Sequence, residues 1–106
     1  MHRIVFVAAA ALALSGCVQA IAESRVQSAL REAGVSESDS DCMAERMVDR
    51  LTIDQLRKLE GLKARKGETV RPTSLRGYLD RVRRVGDAEV IAVTSSSAAL
   101  CAVGLG

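Results

Sequence analysis

The side chains with the most distinctive chemistry in this sequence are three thiols, those of Cys17, Cys42 and Cys101. A thiol can be alkylated, can form a disulfide with a second thiol, or can act as a nucleophile once it is ionised. Cys17 directly follows an apolar run, whereas Cys42 and Cys101 lie in the more polar remainder of the chain. These surroundings predict one role for Cys17 and another for the remaining pair.

Cys17 closes a segment with the layout of an export signal. The chain begins with a positively charged start, residues 1–3, and continues with eleven uncharged apolar residues, 4–14. A positive start, an apolar stretch of this length and small residues at its end are typical of a secretory signal peptide. The stretch is too short for a transmembrane helix, which needs about 20 apolar residues. The alternative, a buried amino-terminal core helix, leaves the positive start and the small residues unexplained.

The four residues Leu14, Ser15, Gly16 and Cys17 place one apolar residue and two small residues directly before a cysteine. This pattern resembles the lipobox of bacterial lipoproteins. The resemblance covers the leader alone, and it implies that a peptidase cuts before Cys17, whose thiol carries a diacylglycerol and whose amino group is acylated. Acyl chains bury many methylene groups at about 0.8 kcal/mol each, so they would tether Cys17 to a membrane.

The same resemblance implies a domain organisation and a location. Residues 1–16 would be the signal peptide, residues 17–20 a lipid-anchored linker and residues 21–106 the helical domain. In that family an acidic residue after the cysteine retains the protein at the inner membrane. Val18 is not acidic, so we expect the periplasmic face of the outer membrane. Residues 18–20 also form a small-x-small pattern for an ordinary signal peptidase, and cleavage there would release the protein without lipid.

Several residue types that enzymes rely on are missing from the chain after Cys17. The single histidine and single phenylalanine, His2 and Phe6, lie in the leader, there is no tryptophan, and Tyr78 is the remaining aromatic residue. The domain therefore lacks the commonest general base and metal ligand, and it cannot form a Ser-His-Asp or Cys-His arrangement. The sequence has no Gly-rich phosphate loop and no CxxC pair. We expect no cofactor, no metal and no enzymatic activity.

Cys42 and Cys101 remain once Cys17 is assigned to lipid. Two cysteines in an oxidising compartment predict a disulfide, and closing a loop of about 60 residues would stabilise so small a domain by about 4 kcal/mol. Two free thiols buried as small apolar side chains are the alternative. On a helical wheel Cys42 lies nearly opposite the apolar stripe of its helix. A bridge therefore has two possible arrangements. Either the last helix covers the outer side of the Cys42 helix, which is then packed between two helices, or the disulfide lies near the surface.

The spacing of apolar residues predicts an all-α fold, a small bundle of four to five short helices after the cleaved signal peptide. The predicted spans are residues 20–33, 37–50, 53–62, 74–85 and 88–103. Gly34 and Gly86 are expected to end the first and fourth helices. Ser36, Thr52 and Thr73 are expected to cap the second, third and fourth. The small residues of the last helix predict tight packing in the centre of the bundle.

Charge is unevenly distributed along the chain. Residues 20–55 hold eight acidic and four basic residues, a net charge of −4, whereas residues 56–86 hold ten basic and three acidic residues, a net charge of +7. One interpretation pairs the acids of the second helix with these bases inside the bundle. The other is a basic surface for an anionic partner, centred on the polar loop of residues 63–72. The candidate contacts in that loop are Lys63, Arg65, Lys66 and Arg71.

These patterns predict a lipid-anchored accessory or binding protein of the bacterial cell envelope. Its expected partners are the membrane, through lipid on Cys17, and an envelope protein, anionic lipid or polysaccharide, through the polar loop. Nucleic acid is not expected outside the cytoplasm. The alternative is a soluble periplasmic or secreted regulator or inhibitor that an ordinary signal peptidase releases after Ala20.

Overall fold

The computed structural model describes the backbone of residues 2–105 and the side chains of residues 16–105. Regular structure across that part of the chain is helical throughout, which confirms the predicted all-α class. The elements are α1 (His2–Glu32), α2 (Glu37–Arg50), α3 (Ile53–Glu60), α4 (Leu75–Val82), a 3₁₀ turn (Arg83–Val85) and α5 (Ala88–Ala102). The predicted signal peptide comprises residues 1–16. The side chains of residues 1–15 lie outside the described part of the chain.

The first helix starts earlier than the apolar spacing predicts. α1 continues without a break through Cys17 and through residues 17–20, which were expected to be a linker. The side chains from Cys17 to Ala20 are exposed on this helix. A lipid on Cys17 would therefore be attached directly to the helical domain, because the residues that were expected to separate the two are themselves helical.

α1 ends where the sequence predicts, at a left-handed glycine. Gly34 has a φ of 88°, and the Val35 N–H donates a hydrogen bond to the Leu30 carbonyl at 3.0 Å. This is the capping arrangement in which glycine is strongly preferred. A Cβ added to Gly34 would also lie 3.1 Å from the Thr73 carbonyl oxygen. Both the backbone turn and the close approach of the segment before α4 therefore require glycine here.

α2 forms the centre of the bundle, because it packs against α1 and also against α5. Ser36 caps its first turn as predicted, and the Ser36 hydroxyl accepts a hydrogen bond from the Asp39 N–H at 3.2 Å. That bond satisfies one of the backbone donors that a helix leaves unpaired at its start. The buried side chains of α2 are Ser40, Met43, Ala44, Met47 and Val48.

α5 covers one side of α2 and buries only one of its own faces. Its buried residues are Val90, Thr94, Ser97, Ala98 and Cys101. The residues Ala92, Ser95, Ser96 and Ala99 on its other face are exposed. The prediction that α5 is central is wrong, because small residues occur on both of its faces and their presence does not indicate which face is covered.

Side-chain caps also fix the starts of α3 and α4. The Thr52 N–H donates to the Gln55 side-chain oxygen at 2.8 Å, and the Gln55 N–H donates to the Thr52 hydroxyl at 3.2 Å. This reciprocal pair is the predicted capping box. For α4 the predicted cap, Thr73, is wrong. Ser74 takes that position in an extended conformation and accepts a hydrogen bond from the Gly77 N–H at 3.0 Å.

Candidate functional site

The structure joins Cys42 of α2 to Cys101 of α5 by a disulfide, with the two Cα atoms 5.9 Å apart. Cys101 is buried, whereas Cys42 is partly exposed. The apparent conflict on the helical wheel disappears, because α1 covers one side of α2 and α5 covers the other. α2 is thus sandwiched, which is one of the two arrangements that a bridge required.

Cys17 lies apart from this pair. Its thiol is exposed on α1 and takes no part in the disulfide. Exposure of the thiol is what enzymatic lipid attachment needs, since the attaching enzyme has to reach the sulfur. The role of Cys17 as the lipid attachment residue stays a prediction.

The polar loop between α3 and α4 carries a group of uncompensated cations. Three of its four candidate contacts, Lys63, Arg65 and Lys66, are exposed, and among residues 16–105 no carboxylate lies within ion-pair distance of them. We call these three residues the basic loop. The fourth candidate, Arg71, instead forms an ion pair with Glu32 of α1 at 2.9 Å. The structure therefore brings three of the predicted residues together at the surface, and the fourth forms an ion pair with α1.

The acids of α2 do not neutralise this loop, so that interpretation of the charge pattern is wrong. Within the described side chains, the ion pair made by α2 joins Asp41 to Arg31 of α1 at 2.9 Å. α2 packs against α1 and α5, and its other acidic side chains form no ion pair among the described residues. The exposed Lys63, Arg65 and Lys66 consequently keep their positive charge without a carboxylate partner among the described side chains.

A buried arginine holds the segment that carries the basic loop. Arg81 of α4 has a side chain that is only 9% exposed. It donates hydrogen bonds to the Thr69 carbonyl at 2.6 Å and to the Val70 carbonyl at 3.1 Å. Hydrogen bonds from a charged donor are worth about twice those between neutral groups. The charge pattern alone does not distinguish Arg81 from the other basic residues, although it lies one helical turn after Tyr78, beside the apolar face of α4.

Glu68, which lies in the same segment, also holds its backbone in place. Its carboxylate accepts a hydrogen bond from the Arg65 N–H at 2.7 Å and pairs with the Arg84 guanidinium. The hydrogen bond from Arg84, followed by that from the Arg65 backbone, lowers the pKa of Glu68 to about 2. Glu68 is therefore ionised at physiological pH. It fixes the backbone of Arg65 while the Arg65 side chain stays exposed.

An apolar groove runs along the line where α1 meets α3. Three adjoining cavities form it, with volumes of about 220, 70 and 210 Å³. The first and second share Ala22 and Leu56, and the second and third share Leu59 and Tyr78. The groove begins at Val18 and Ile21, and it ends at Leu62, Val70 and Pro72 beneath the polar loop. We call this feature the α1–α3 groove.

No protein-family model, curated protein or solved structure matches the chain. Among the described residues, none of the helices combines the length and the apolar character needed to span a bilayer. The arguments for function therefore come from the leader, the basic loop and the α1–α3 groove.

Proposed function

We propose that the chain is a lipid-anchored accessory protein of the bacterial envelope that contacts an anionic envelope component through its basic loop. The observation that carries this proposal is the exposed charge of Lys63, Arg65 and Lys66, which have no ion-pair partner among residues 16–105. The backbone that carries them is held by Arg81 and Glu68. The pattern of residues 14–17 supports the anchor. The chemistry of the partner is a phosphate or carboxylate surface, such as lipid headgroups.

The arrangement of the loop favours binding in two ways. Each basic side chain near an anionic membrane surface contributes about 1 kcal/mol, so three of them together contribute about 3 kcal/mol. The backbone that presents them is already fixed by the Arg81 and Glu68 hydrogen bonds. Binding therefore orders less of the chain than it would for a free loop, which lowers its entropic cost.

Metabolic labelling tests the anchor. Bacteria that express the full chain are fed a clickable palmitate analogue, and the protein is compared with the Cys17→Ser variant. We expect label on the wild-type protein and none on the variant. Unlabelled wild-type protein in the culture supernatant would instead support the secreted alternative.

Vesicle capture tests the basic loop. The lipidated protein is inserted into phosphatidylcholine vesicles and mixed with fluorescent vesicles of phosphatidylglycerol or phosphatidylcholine. We expect capture of phosphatidylglycerol vesicles alone, and we expect it to weaken as salt screens the charges. The triple variant Lys63→Gln, Arg65→Gln, Lys66→Gln should lower the affinity about a hundredfold.

A matched control keeps the same net charge as that triple variant. It replaces Arg57, Arg76 and Arg83 by Gln, which removes three exposed positive charges outside the loop. This control should lose much less binding than the loop variant. Equal losses would mean that net charge matters and the loop does not, and the proposed contact would be wrong.

A further inference from the structure

The walls of the α1–α3 groove suit an apolar ligand. Val18 and Ile21 at its open end are 46% and 56% exposed, which is high for large apolar side chains. The acids along the groove are compensated, since Glu60 pairs with Arg25 at 3.4 Å and Glu32 pairs with Arg71 at 2.9 Å. A ligand in the groove therefore meets apolar surface and neutral ion pairs.

The dimensions of the groove select a long and narrow ligand. Its cavities of about 220, 70 and 210 Å³ are each smaller than the pockets of about 300 Å³ or more that hold compact small molecules. The smallest of the three cavities lies in the middle, beside Ala29 and Leu59. The α1 segment from Val18 to Glu32 spans about 21 Å, at 1.5 Å per residue. Acyl chains span about 15 Å in one leaflet of a bilayer, so a single chain is short enough to lie within this length.

Charge makes the two ends of the groove different. At the inner end Leu62 and Val70 line the cavity, and the basic loop follows Leu62 directly in the chain. Lys63, Arg65 and Lys66 have no ion-pair partner among the described side chains. At the outer end Arg25 and Arg57 are both paired with carboxylates. A negatively charged group is therefore favoured at the loop end.

We propose that the α1–α3 groove binds the acyl chain of an anionic lysophospholipid, with its headgroup beside the basic loop. This inference rests on the proposed function, because the same loop supplies the contact with the anionic group. It adds a ligand class and a second part of the site, the apolar groove. The apolar tail lies towards Val18, the end nearest to Cys17.

Photo-crosslinking of the full, lipidated chain in envelope membranes tests this inference. The probe is lysophosphatidylglycerol with a diazirine in its acyl chain, compared with lysophosphatidylcholine that carries the same chain. We expect cross-links in the peptides that contain Ala29 and Leu59. An excess of the chain-free headgroup, glycerophosphoglycerol, should compete poorly. Cross-links confined to the exposed face of α5 would overturn the inference.

Two variants fill the groove without touching the loop. Ala29→Leu and Ala22→Leu each add a larger side chain to a cavity wall, and leucine is a good helix former. Each should lower cross-linking about tenfold, because overfilled cavities accommodate a ligand poorly. Ala92→Leu on the exposed face of α5 is the matched control and should leave cross-linking unchanged. Thermal melts of all three identify any variant that fails to fold.

Variants of the basic loop separate this inference from the proposed function. Lys63→Gln and Lys66→Gln should each lower cross-linking of lysophosphatidylglycerol about fivefold and leave that of lysophosphatidylcholine unchanged. If the groove variants have no effect while the loop variants still lose capture of anionic vesicles, the groove ligand is wrong and the proposed function stands. If the loop variants affect neither assay, both are wrong.

Discussion

Cys42 and Cys101 are joined by a disulfide that fixes α2 to α5 across 59 residues of sequence. This bond connects the central helix of the bundle to the helix at its carboxyl-terminal edge. The segment that it encloses contains α3, α4 and the polar loop. A single covalent bond therefore restricts most of the folded domain.

Loss of this disulfide should destabilise the domain strongly. In the chain-entropy account, a loop of this length contributes about 4 kcal/mol, a large share of the stability of a domain this small. The Cys42→Ser, Cys101→Ser double variant should therefore melt more than about 10 °C below the wild type. Circular dichroism melts with and without reductant measure this difference. Cys17→Ser is the control, and equal melting temperatures for all three proteins would contradict the prediction.

The sequence predicted this pair of cysteines but not the packing that joins them. Assigning Cys17 to lipid left Cys42 and Cys101 as the candidate disulfide pair. The helical wheel, however, placed Cys42 away from the apolar stripe of α2. A helix covered on two sides has a second buried face that need not be strongly apolar. On α2 the Cys42 side also carries Arg46, one turn further along, and both side chains are only partly buried. Hydrophobic periodicity therefore identified only one of the two covered faces.

Replacement of Arg81 should release the polar loop. Arg81→Met keeps an apolar stem in the buried site but removes the donors to the Thr69 and Val70 carbonyls. Hydrogen bonds from charged groups contribute about 1.5–3 kcal/mol, so we expect a loss of about 2 kcal/mol. Limited digestion with trypsin should become faster at Arg65 and Lys66. Arg83→Met, at an exposed position in the 3₁₀ turn after α4, is the control. It should change neither the stability nor the rate of cleavage at Arg65 and Lys66.

The charge pattern of this region shows what can and cannot be predicted from sequence. Local rules predicted the loop and the Thr52 capping box, and they placed the cap of α4 one residue too early, at Thr73. They did not distinguish Arg71 and Arg81, which contact other groups of the domain, from Lys63, which has no ion-pair partner among residues 16–105. That distinction depends on which distant carboxylates and carbonyls reach each cation. Glu32 and Arg71 are 39 positions apart in sequence, so no local pattern reveals the pair.

The stabilising contribution of Glu68 should depend on pH in the acid range. Its pKa is about 2 in the folded protein and about 4.5 in the unfolded chain, so folding favours the ionised form. The contribution is complete above pH 4.5 and is lost as the pH falls towards 2. Denaturant unfolding at a series of pH values measures it. Glu68→Gln should be less stable than the wild type at pH 6, and the difference should shrink below pH 4.5. A difference that does not change with pH would contradict this assignment.

Tyr78 should remain protonated in the folded protein well above the pH at which tyrosine normally ionises. Burial in the bundle raises its pKa to about 12, from an ordinary value of 10.0. Because Tyr78 is the single tyrosine and the chain has no tryptophan, its tyrosinate absorbance can be followed without interference. We expect a native titration near pH 12, and one near pH 10 in denaturant.

The same difference in pKa makes the domain lose stability in alkali. The folded state retains the Tyr78 proton between pH 10 and pH 12, whereas the unfolded chain releases it. Unfolding therefore releases a proton in this range, and the free energy of unfolding falls as the pH rises. Tyr78→Phe has no proton to lose, so its stability should decline less steeply over the same range. Tyr78 also lines the α1–α3 groove, and a native titration near pH 10 would show that water reaches its hydroxyl freely there.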